Sequence, residues 1–558
     1  MATQTPLNVP IRPWVPRWLG IVTAFTVMLP IILINGAYTG TITEVSGTLG
    51  VLSEDISMAY YATSAGMAVA YPLIPKVRPV VTTKTILLID LLLQVILSFI
   101  CAQVNQMDII IVCSFFIGFL KGFAMLEIIL MIRPLFSPQN VRSEFYAYFY
   151  PIVFSAGQVS MAVTAQLAYY YQWQYMYYFV ILLLLVAISF ILMFFRYARR
   201  PVYFPFKEID WKSILLMASI LLFTIWSATY GKTLDWFSSA KIMVYVLSLP
   251  VLVWLFQFRQ KTRKNPYLKL EVLNSSKALI GYFFMMLVMF FSSTSSLVTS
   301  YMNNIIRVDS VHANFLNLWM LPGFICGAVI CFWWFRWQRW RFRILISGGM
   351  LCYVIYLAIL YFGITPDGRY EMLYLPMFLR GMGMMILFIA FGVYAVEDMN
   401  PKLMIYNAFF LITCRSVIAP ALSSAFFNNM LYRLQLRDMA ILSENMRLDN
   451  PLAAQQYNQS LNNALAQGHS MTDAVQLATN SLYTTLQSQS LLLALKTIIG
   501  YVLIFAIVVM VWMLEKRSEA ISLVVLPKAM DFSISFSVEV STGCSWGSRT
   551  IFFSESRL

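Results

Sequence analysis

The sequence predicts an all-α integral membrane protein, on the basis of its composition, its long apolar segments and the placement of its positive charges. Of its 558 residues, 60% are hydrophobic and only 11% are charged, whereas soluble domains are about a quarter charged. Apolar stretches of roughly 20 residues, the length that crosses a bilayer as a helix, recur along the chain. The net charge of +14 arises largely in short connections that flank these stretches, so nucleic-acid binding is not expected.

Hydropathy predicts fourteen membrane spans, grouped as six, two and six. The first six are residues 18–38, 56–75, 85–104, 109–132, 145–168 and 175–195. The next two are residues 213–231 and 240–258. The last six are residues 279–302, 313–335, 344–363, 372–396, 403–427 and 491–514. We therefore expect an N-terminal bundle at 18–195, a cytoplasmic loop with two extra helices at 196–258, and a C-terminal bundle at 259–514.

The charge pattern predicts that both termini are cytoplasmic. Basic residues concentrate in alternate connections, as the positive-inside rule requires. They include Lys76, Arg78, Lys84, Arg133, Arg142, Arg196, Arg199, Arg200, Lys207, Lys212, Arg259, Lys261, Arg263, Lys264, Lys269, Arg336, Arg339, Arg341, Arg343, Lys402, Lys516 and Arg517. The first outer loop, 44–55, contains neither Lys nor Arg. Residues 1–17 are thus predicted to be a cytoplasmic N-terminus, and 515–558 a cytoplasmic, disordered tail.

The connection 431–490 is long for an outer loop, and it lies on the periplasmic side in this topology. Two weak helical patterns, 432–446 and 471–486, flank a polar stretch at 450–468. One interpretation is a solvated helical cap. The other is a docking surface for a partner outside the membrane.

Lys121 is the most unusual residue in the spans, because it falls near the middle of the fourth one. A charge there is costly, so such a residue faces a protein interior or an aqueous cavity. Gly118 and Gly122 share its helix face and allow a backbone or a substrate to approach closely. Two alternatives follow: a buried ion pair with Glu127 or Asp90, or a cavity cation that binds an anionic group or tunes a carboxylate.

Glu127 and Asp90 are the predicted proton-coupling residues, since both are carboxylates in the cytoplasmic half of adjacent spans. Burial favours the protonated form of a carboxylate and brings its titration towards cellular pH. For Asp90 a structural alternative stays open, namely an ion pair with Lys84 or Arg78.

Two arginines are further cavity or substrate candidates. Arg415 falls near the midplane of the thirteenth span and is followed by small residues and Pro420, a combination that favours close packing and a kink. It could line the cavity or lock the second bundle. Arg380 lies in the outer half of the twelfth span.

No catalytic motif occurs in the sequence. There is no GxSxG, HExxH or Walker A pattern, and His312 and His469 are the only histidines. The sequence therefore predicts neither an enzyme nor an ATP-driven pump. It also predicts no cofactor and no histidine-built metal site.

Several local motifs resemble the fourteen-helix drug:proton antiporters of the major facilitator superfamily, the EmrB/QacA type. The first span with its following loop is similar to the family's opening segment and keeps Asn35 and Ala37. Residues 171–181, YQWQYMYYFVI, resemble the family's Trp-x-Trp-x-Phe segment, with Trp173 in place. Residues 228–239, ATYGKTLDWFSS, resemble the end of its first extra helix. MLPGF at 320–324 and LRGMG at 379–383 look like second-half segments.

Four positions depart from the family pattern. The acidic residue of the first helix falls on Pro30, and the loop between helices two and three keeps basic residues but loses its Asp. The Arg-x-x-Gln-Gly of the fourth helix becomes Gly118-Phe-Leu-Lys121-Gly122. The fifth-helix antiporter motif survives only as SAGQVSMAVTA at 155–165.

The resemblance implies a major facilitator fold in the cell inner membrane. It also implies proton-driven export of amphipathic small molecules, with a periplasmic adaptor protein and an outer-membrane channel as partners. Two alternatives remain: a proton-coupled importer of an organic anion, which would also use Lys121 and Arg415, and a transport-inactive scaffold or sensor.

Overall fold

The computed structural model describes residues 11–137, 139, 141–196, 209–263, 265–337, 342–397, 399–400, 403–444, 446 and 450–515. Within these residues the secondary structure is helical, apart from an isolated antiparallel bridge between Ile11 and Phe195. The predicted tail after residue 515, most of the N-terminus and most of the loop at 196–208 lie outside the described residues.

The first six long helices follow the first six predicted spans with small shifts at their ends. They are α1 Arg17–Gly40, α2 Ser53–Ala70, α3 Thr83–Gln103, α4 Met107–Phe136, α5 Arg142–Tyr170 and α6 Tyr175–Phe194. Short helices at Ile42–Leu49, Tyr71–Leu73 and Ile74–Val77 continue α1 and α2. We call these residues the first helix set.

Two helices separate the first set from the rest, α7 Trp211–Tyr230 and α8 Ala240–Thr262, with a short turn at Trp236–Ser238 between them. The second helix set comprises α9 Ser276–Ser292, α10 Met320–Arg336, α11 Phe342–Gly363, α12 Tyr374–Tyr394, α13 Met404–Ile412, α14 Ala419–Ser443, α15 Pro451–Ala466 and α16 Met471–Glu515. Short helices lie at Leu270–Asn274, Ser295–Tyr301, Ser310–Phe315, Leu316–Trp319 and Tyr370–Leu373, and π-helical turns at Met302–Ile306 and Thr413–Ile418.

Twelve helical segments in the described part of the chain are long and apolar enough to cross a membrane. The segments predicted as the first and second spans form α1 and α2 but are not among these twelve. The apolar stretch found in α1 covers Trp18–Ile34, and the 18-residue α2 carries Glu54 and Asp55 in its first turn.

The two helix sets contact each other at both ends. At the end where α1 finishes, which the charge pattern predicts to face outside, Ser310 donates to Glu44, and Asn314 Nδ2 donates to the Gly40 carbonyl at 3.3 Å. We call this the outer end. At the opposite end, Arg142 Nη1 donates to the Val396 carbonyl at 2.7 Å. The sets are therefore closed together at these points on both sides.

Helices α7 and α8 are joined by a buried polar network at the inner end. Arg259 Nε lies 3.0 Å from both carboxylate oxygens of Asp210, and Ser213 donates to Asp210 at 2.6 Å. Gln260 donates to Ser213 at 2.9 Å and accepts from the Leu268 backbone at 3.0 Å. Burial alone would raise the pKa of Asp210, but the hydrogen bonds and charge of Arg259, with those from Ser213, hold its pKa below the ordinary value.

The predicted outer connection 431–490 is mostly helical. Helix α14 extends to Ser443, and α16 begins at Met471 and continues through the last predicted span without a break. The polar stretch forms α15, which packs antiparallel to α16: Gln456 donates to Thr485 at 2.8 Å, and the Ser460 and Ser481 hydroxyls lie 3.1 Å apart. Ala464, Ala474 and Ala478 are buried there. We call α15 with residues 471–490 of α16 the outer hairpin.

Candidate functional site

Arg415 lies between the two helix sets. It belongs to the π-helical turn Thr413–Ile418, which joins α13 to α14. Its guanidinium carbon is 5.7 Å from the ring centre of Tyr150 on α5 and 5.5 Å from that of Phe388 on α12. Both distances fit a cation–π contact. One cation thus bridges a ring from each set, and π-helical turns are frequent at functional sites.

An aromatic cluster surrounds this cation. Phe154 packs against Phe388 with ring centres 4.9 Å apart and against Phe324 at 5.9 Å. Tyr146 stacks on Tyr150 at 5.1 Å. Residues 146, 150 and 154 recur every four positions and therefore share one face of α5. This four-residue spacing is visible in the sequence. It does not identify a binding site by itself, because aromatic residues at such spacing usually face lipid or the protein core.

The Arg415 site has unused hydrogen-bonding capacity, since Nη1 has no hydrogen-bond partner among the described residues. A guanidinium held over rings can receive a carboxylate or phosphate group, while the rings contact a planar apolar body. The arrangement suits an amphipathic molecule, with an anionic or polar group at Arg415 and an apolar part against the rings.

Lys121 is buried, with 4% of its surface exposed. The flanking glycines make α4 and α2 cross closely: a Cβ at Gly118 would lie 1.8 Å from the Thr63 carbonyl, and one at Gly122 would lie 2.7 Å from Ala70 Cβ. The group that approaches these glycines closely is therefore the backbone of α2.

Glu127 is paired with Arg78, from the connection between α2 and α3. Its Oε1 is 3.1 Å from Arg78 Nε, and its Oε2 accepts from Thr83 at 2.8 Å. Glu127 is 2% exposed on its side chain, whereas Arg78 is 41% exposed. The carboxylate is buried within the helices while its partner stays close to solvent.

Asp90 is buried on α3 and forms an ion pair with neither Lys84 nor Arg78, the two partners that the sequence suggested. Arg78 pairs with Glu127, and the Lys84 ammonium donates to the carbonyl of Phe195 at 3.0 Å. In the described part of the chain, Asp90 Oδ2 has no hydrogen-bond partner. The same is true of both amide atoms of Gln94 and of the Ser98 hydroxyl. These residues are four apart, so they form a buried polar stripe along α3.

Arg380 is also buried but does not join the Arg415 site. Its hydrogen bonds go to Ser292 on α9 and to Met377 on its own helix, α12. Asn35 lies in α1, and its side chain is outside the described residues. Arg380 and Arg415 thus have different contacts within the second helix set and its boundary, whereas Lys121, Glu127 and Asp90 lie in α3 and α4 of the first set.

Twelve described segments long and apolar enough to cross a membrane, with charged side chains buried among them, are typical of membrane transporters. The Major Facilitator Superfamily model matches residues 20–424. The chain therefore belongs to the major facilitator superfamily. It is a transporter, not an enzyme.

Solved structures share the fold at low sequence identity. A structure of the peptide transporter POT matches with 13% identity and a TM-score of 0.52, covering 90% of this chain and 97% of that one. A POT family transporter in complex with 5-aminolevulinic acid matches with 16% identity and a TM-score of 0.52, covering 86% and 97%. A structure of the nucleoside transporter NupG matches with 13% identity and a TM-score of 0.48, covering 75% of this chain and 92% of that one. No curated protein matches the sequence.

Proposed function

We propose that the protein exports amphipathic small molecules with an aromatic or other planar apolar part, by proton antiport. The observation that carries this proposal is the Arg415 site, where one cation lies against Tyr150 and Phe388 from opposite helix sets. A molecule bound there would contact both sets at once, so its binding is coupled to their relative movement, as alternating access requires.

The proposed topology has fourteen spans with both termini in the cytoplasm. Helices α1 and α2 complete the count with the twelve apolar segments, and α7 and α8 are the two extra helices. The support is that α1 and α2 form at the predicted positions and that α2 packs closely on α4 through Gly118 and Gly122. The similarity of the local motifs to the EmrB/QacA type agrees with this arrangement.

Glu127 and Asp90 are the proposed proton carriers, with Lys121 modulating them. Both carboxylates are more than nine-tenths buried, and Asp90 Oδ2 has no hydrogen-bond partner in the described part of the chain. A proton bound or released by a buried carboxylate changes the charge inside the helices, and proton-coupled movement requires such a change. The Arg78 ion pair is the competing structural role for Glu127.

The outer hairpin is the proposed docking surface for a periplasmic adaptor, which would connect this inner-membrane protein to an outer-membrane channel. Its support is a long helical structure held by the contacts Gln456–Thr485 and Ser460–Ser481, with Leu452, Leu477 and other large apolar side chains exposed.

A second function has its own support. Arg415 Nη1 lacks a partner in the described residues, and the Arg380 guanidinium has no ion pair there. A buried cation, Arg380, and a partly buried one, Arg415, favour a negatively charged substrate. Proton-coupled import of an organic anion is therefore the second candidate.

Vesicles of opposite orientation separate the two functions. Aromatic amphipathic dyes with negative, neutral and positive charge are presented to everted and right-side-out vesicles carrying an imposed proton gradient. We expect proton-driven accumulation of the anionic or neutral dyes in everted vesicles, with activity lost in Arg415→Gln. Accumulation only in right-side-out vesicles would establish import, and no flux in either orientation would support a scaffold.

A further inference from the structure

We propose that Arg380 holds a small monovalent anion inside the second helix set, at a site distinct from the Arg415 site. Arg380 is 6% exposed. Its Nη1 is 3.5 Å from Met377 Sδ, and its Nη2 is 3.4 Å from the Ser292 hydroxyl. The thioether sulfur is a weak acceptor, and the contact with the hydroxyl is long for a guanidinium. Its polar neighbours Ser292, Tyr353 and Met377 come from α9, α11 and α12, all in the second helix set.

No acidic side chain in the described part of the chain forms an ion pair with Arg380. Among the described residues, the ion pairs within 4.0 Å involve other basic groups, and Nε of Arg380 has no acceptor. An isolated charge in a medium of low polarity is strongly unfavourable, and buried charges are normally paired. Arginine does not relieve this cost by losing its proton in proteins. A bound anion would supply the missing charge.

A second donor with no strong partner lies beside this cation. Tyr353 of α11 is fully buried, and its hydroxyl makes no hydrogen bond within 3.5 Å in the described part of the chain. It lies near the charge of Arg380, and its one weak polar contact is with the Ser292 hydroxyl, which Arg380 also contacts. The next tyrosine on this face, Tyr356, is already paired with Thr294 at 3.1 Å. The Nε–H of Arg380 has no acceptor and the Tyr353 O–H has at most a weak one, so both can turn to an anion beside the positive charge.

The packing limits the size and charge of the ligand. Gly383 is so closely surrounded that a Cβ there would lie 2.8 Å from the Gly349 carbonyl and 3.2 Å from the Tyr353 ring. Tyr353 and Tyr356 have no exposed surface. One guanidinium among tightly packed, fully buried side chains suits a single negative charge on a small group: a halide ion, or the carboxylate of a small organic molecule.

The test measures the melting temperature of the purified full-length protein in chloride, bromide or benzoate, each compared with gluconate at constant ionic strength. A ligand that binds the folded state raises the melting temperature in a saturable manner. We expect halide to do so in the wild-type protein. Stabilisation by benzoate and not by halide, if it is kept in Arg415→Gln and weakened in Tyr353→Phe, would identify the ligand as an organic carboxylate at the same site.

Two variants test the position of the site. Tyr353→Phe removes one donor and should raise the half-saturating anion concentration about tenfold, the typical effect of losing a hydrogen bond to a charged group. Tyr301→Phe is the matched control, since the Tyr301 hydroxyl is occupied by the Thr365 carbonyl at 2.7 Å, and it should keep the wild-type value. Arg380→Gln should abolish the effect; if it does not fold, Tyr353→Phe decides. The proposal is overturned if no anion differs from gluconate, or if Tyr353→Phe titrates like the wild-type protein.

Discussion

Arg415 contacts the two helix sets through aromatic rings rather than through a carboxylate. The effect of substituting it therefore depends on the strength of cation–π contacts and of hydrogen bonds to a bound molecule. A cation–π contact contributes about 0.5–2 kcal/mol, and a hydrogen bond from a charged donor about 1.5–3 kcal/mol. Removing the charge therefore affects both the apolar and the anionic part of a bound molecule.

Arg415→Gln is expected to raise the KM of transport about tenfold or more, with a smaller change in the amount of folded protein. The measurement is dye uptake into vesicles at several dye concentrations. Arg433→Gln makes the same change at an exposed position of α14 and should leave KM unchanged. An unaltered KM in Arg415→Gln would remove this residue from the binding site.

Glu127 can carry a proton or hold Arg78, and exchanging the two residues separates these roles. If the ion pair at 3.1 Å is all that matters, the double variant Arg78→Glu/Glu127→Arg should recover the activity that each single variant loses. We expect no recovery of proton-driven transport, because the exchanged carboxylate lies at the partly exposed position and no longer in the buried one. Expression and melting temperature, measured in parallel, report whether the fold itself is restored.

At the scale of helices, the crossing of α2 and α4 depends on the absence of side chains. A Cβ at Gly118 would lie 1.8 Å from the Thr63 carbonyl, and one at Gly66 would lie 2.0 Å from the Phe115 carbonyl. Gly118→Ala must push the helices apart, and we expect a loss of about 1–3 kcal/mol or more in stability. Gly157→Ala, in α5 with open space around it, should be neutral or stabilising by up to about 1 kcal/mol. Melting temperatures of the two variants make the comparison.

The junction of α7 and α8 gives a prediction about pH. The lowered pKa of Asp210 means that its ion pair with Arg259 stabilises the folded state above the usual carboxyl pKa of about 4 and is lost as pH falls through the lowered value. This pair should therefore contribute equally at pH 7 and pH 5. Asp210→Asn should lower stability by about 2 kcal/mol at both values, since Arg259 is left without its partner. A stabilising effect of Asp210→Asn at pH 7, seen in thermal unfolding, would contradict the network.

At the scale of the whole molecule, alternating access requires the two helix sets to separate at one end at a time. Ser310 and Glu44 join the sets at the outer end. A disulfide formed in the double variant Glu44→Cys/Ser310→Cys should stop transport, and reduction should restore it. The control is Ser460→Cys/Ser481→Cys, because these hydroxyls are 3.1 Å apart within the outer hairpin and their cross-link does not tie the sets together. Full transport in the oxidised Glu44/Ser310 variant would show that the outer end need not open.

The sequence by itself determined the helical membrane class, the positions of nearly all long helices and the family resemblance. These follow from local properties, namely the length and hydropathy of segments and the charge of their connections. It also identified Lys121, Glu127, Asp90, Arg380 and Arg415 as unusual, because a charged residue within an apolar span is conspicuous in any context.

Only the tertiary structure decided which groups these residues contact. That Glu127 faces Arg78, that Gly118 meets the backbone of α2, and that Arg415 meets Tyr150 and Phe388 are contacts between segments distant in the chain. Hydropathy describes each segment alone, so it cannot choose among partners. The helical outer hairpin was likewise underestimated, since the polar sequence of α15 gains its stability from packing on α16 and not from an apolar pattern of its own.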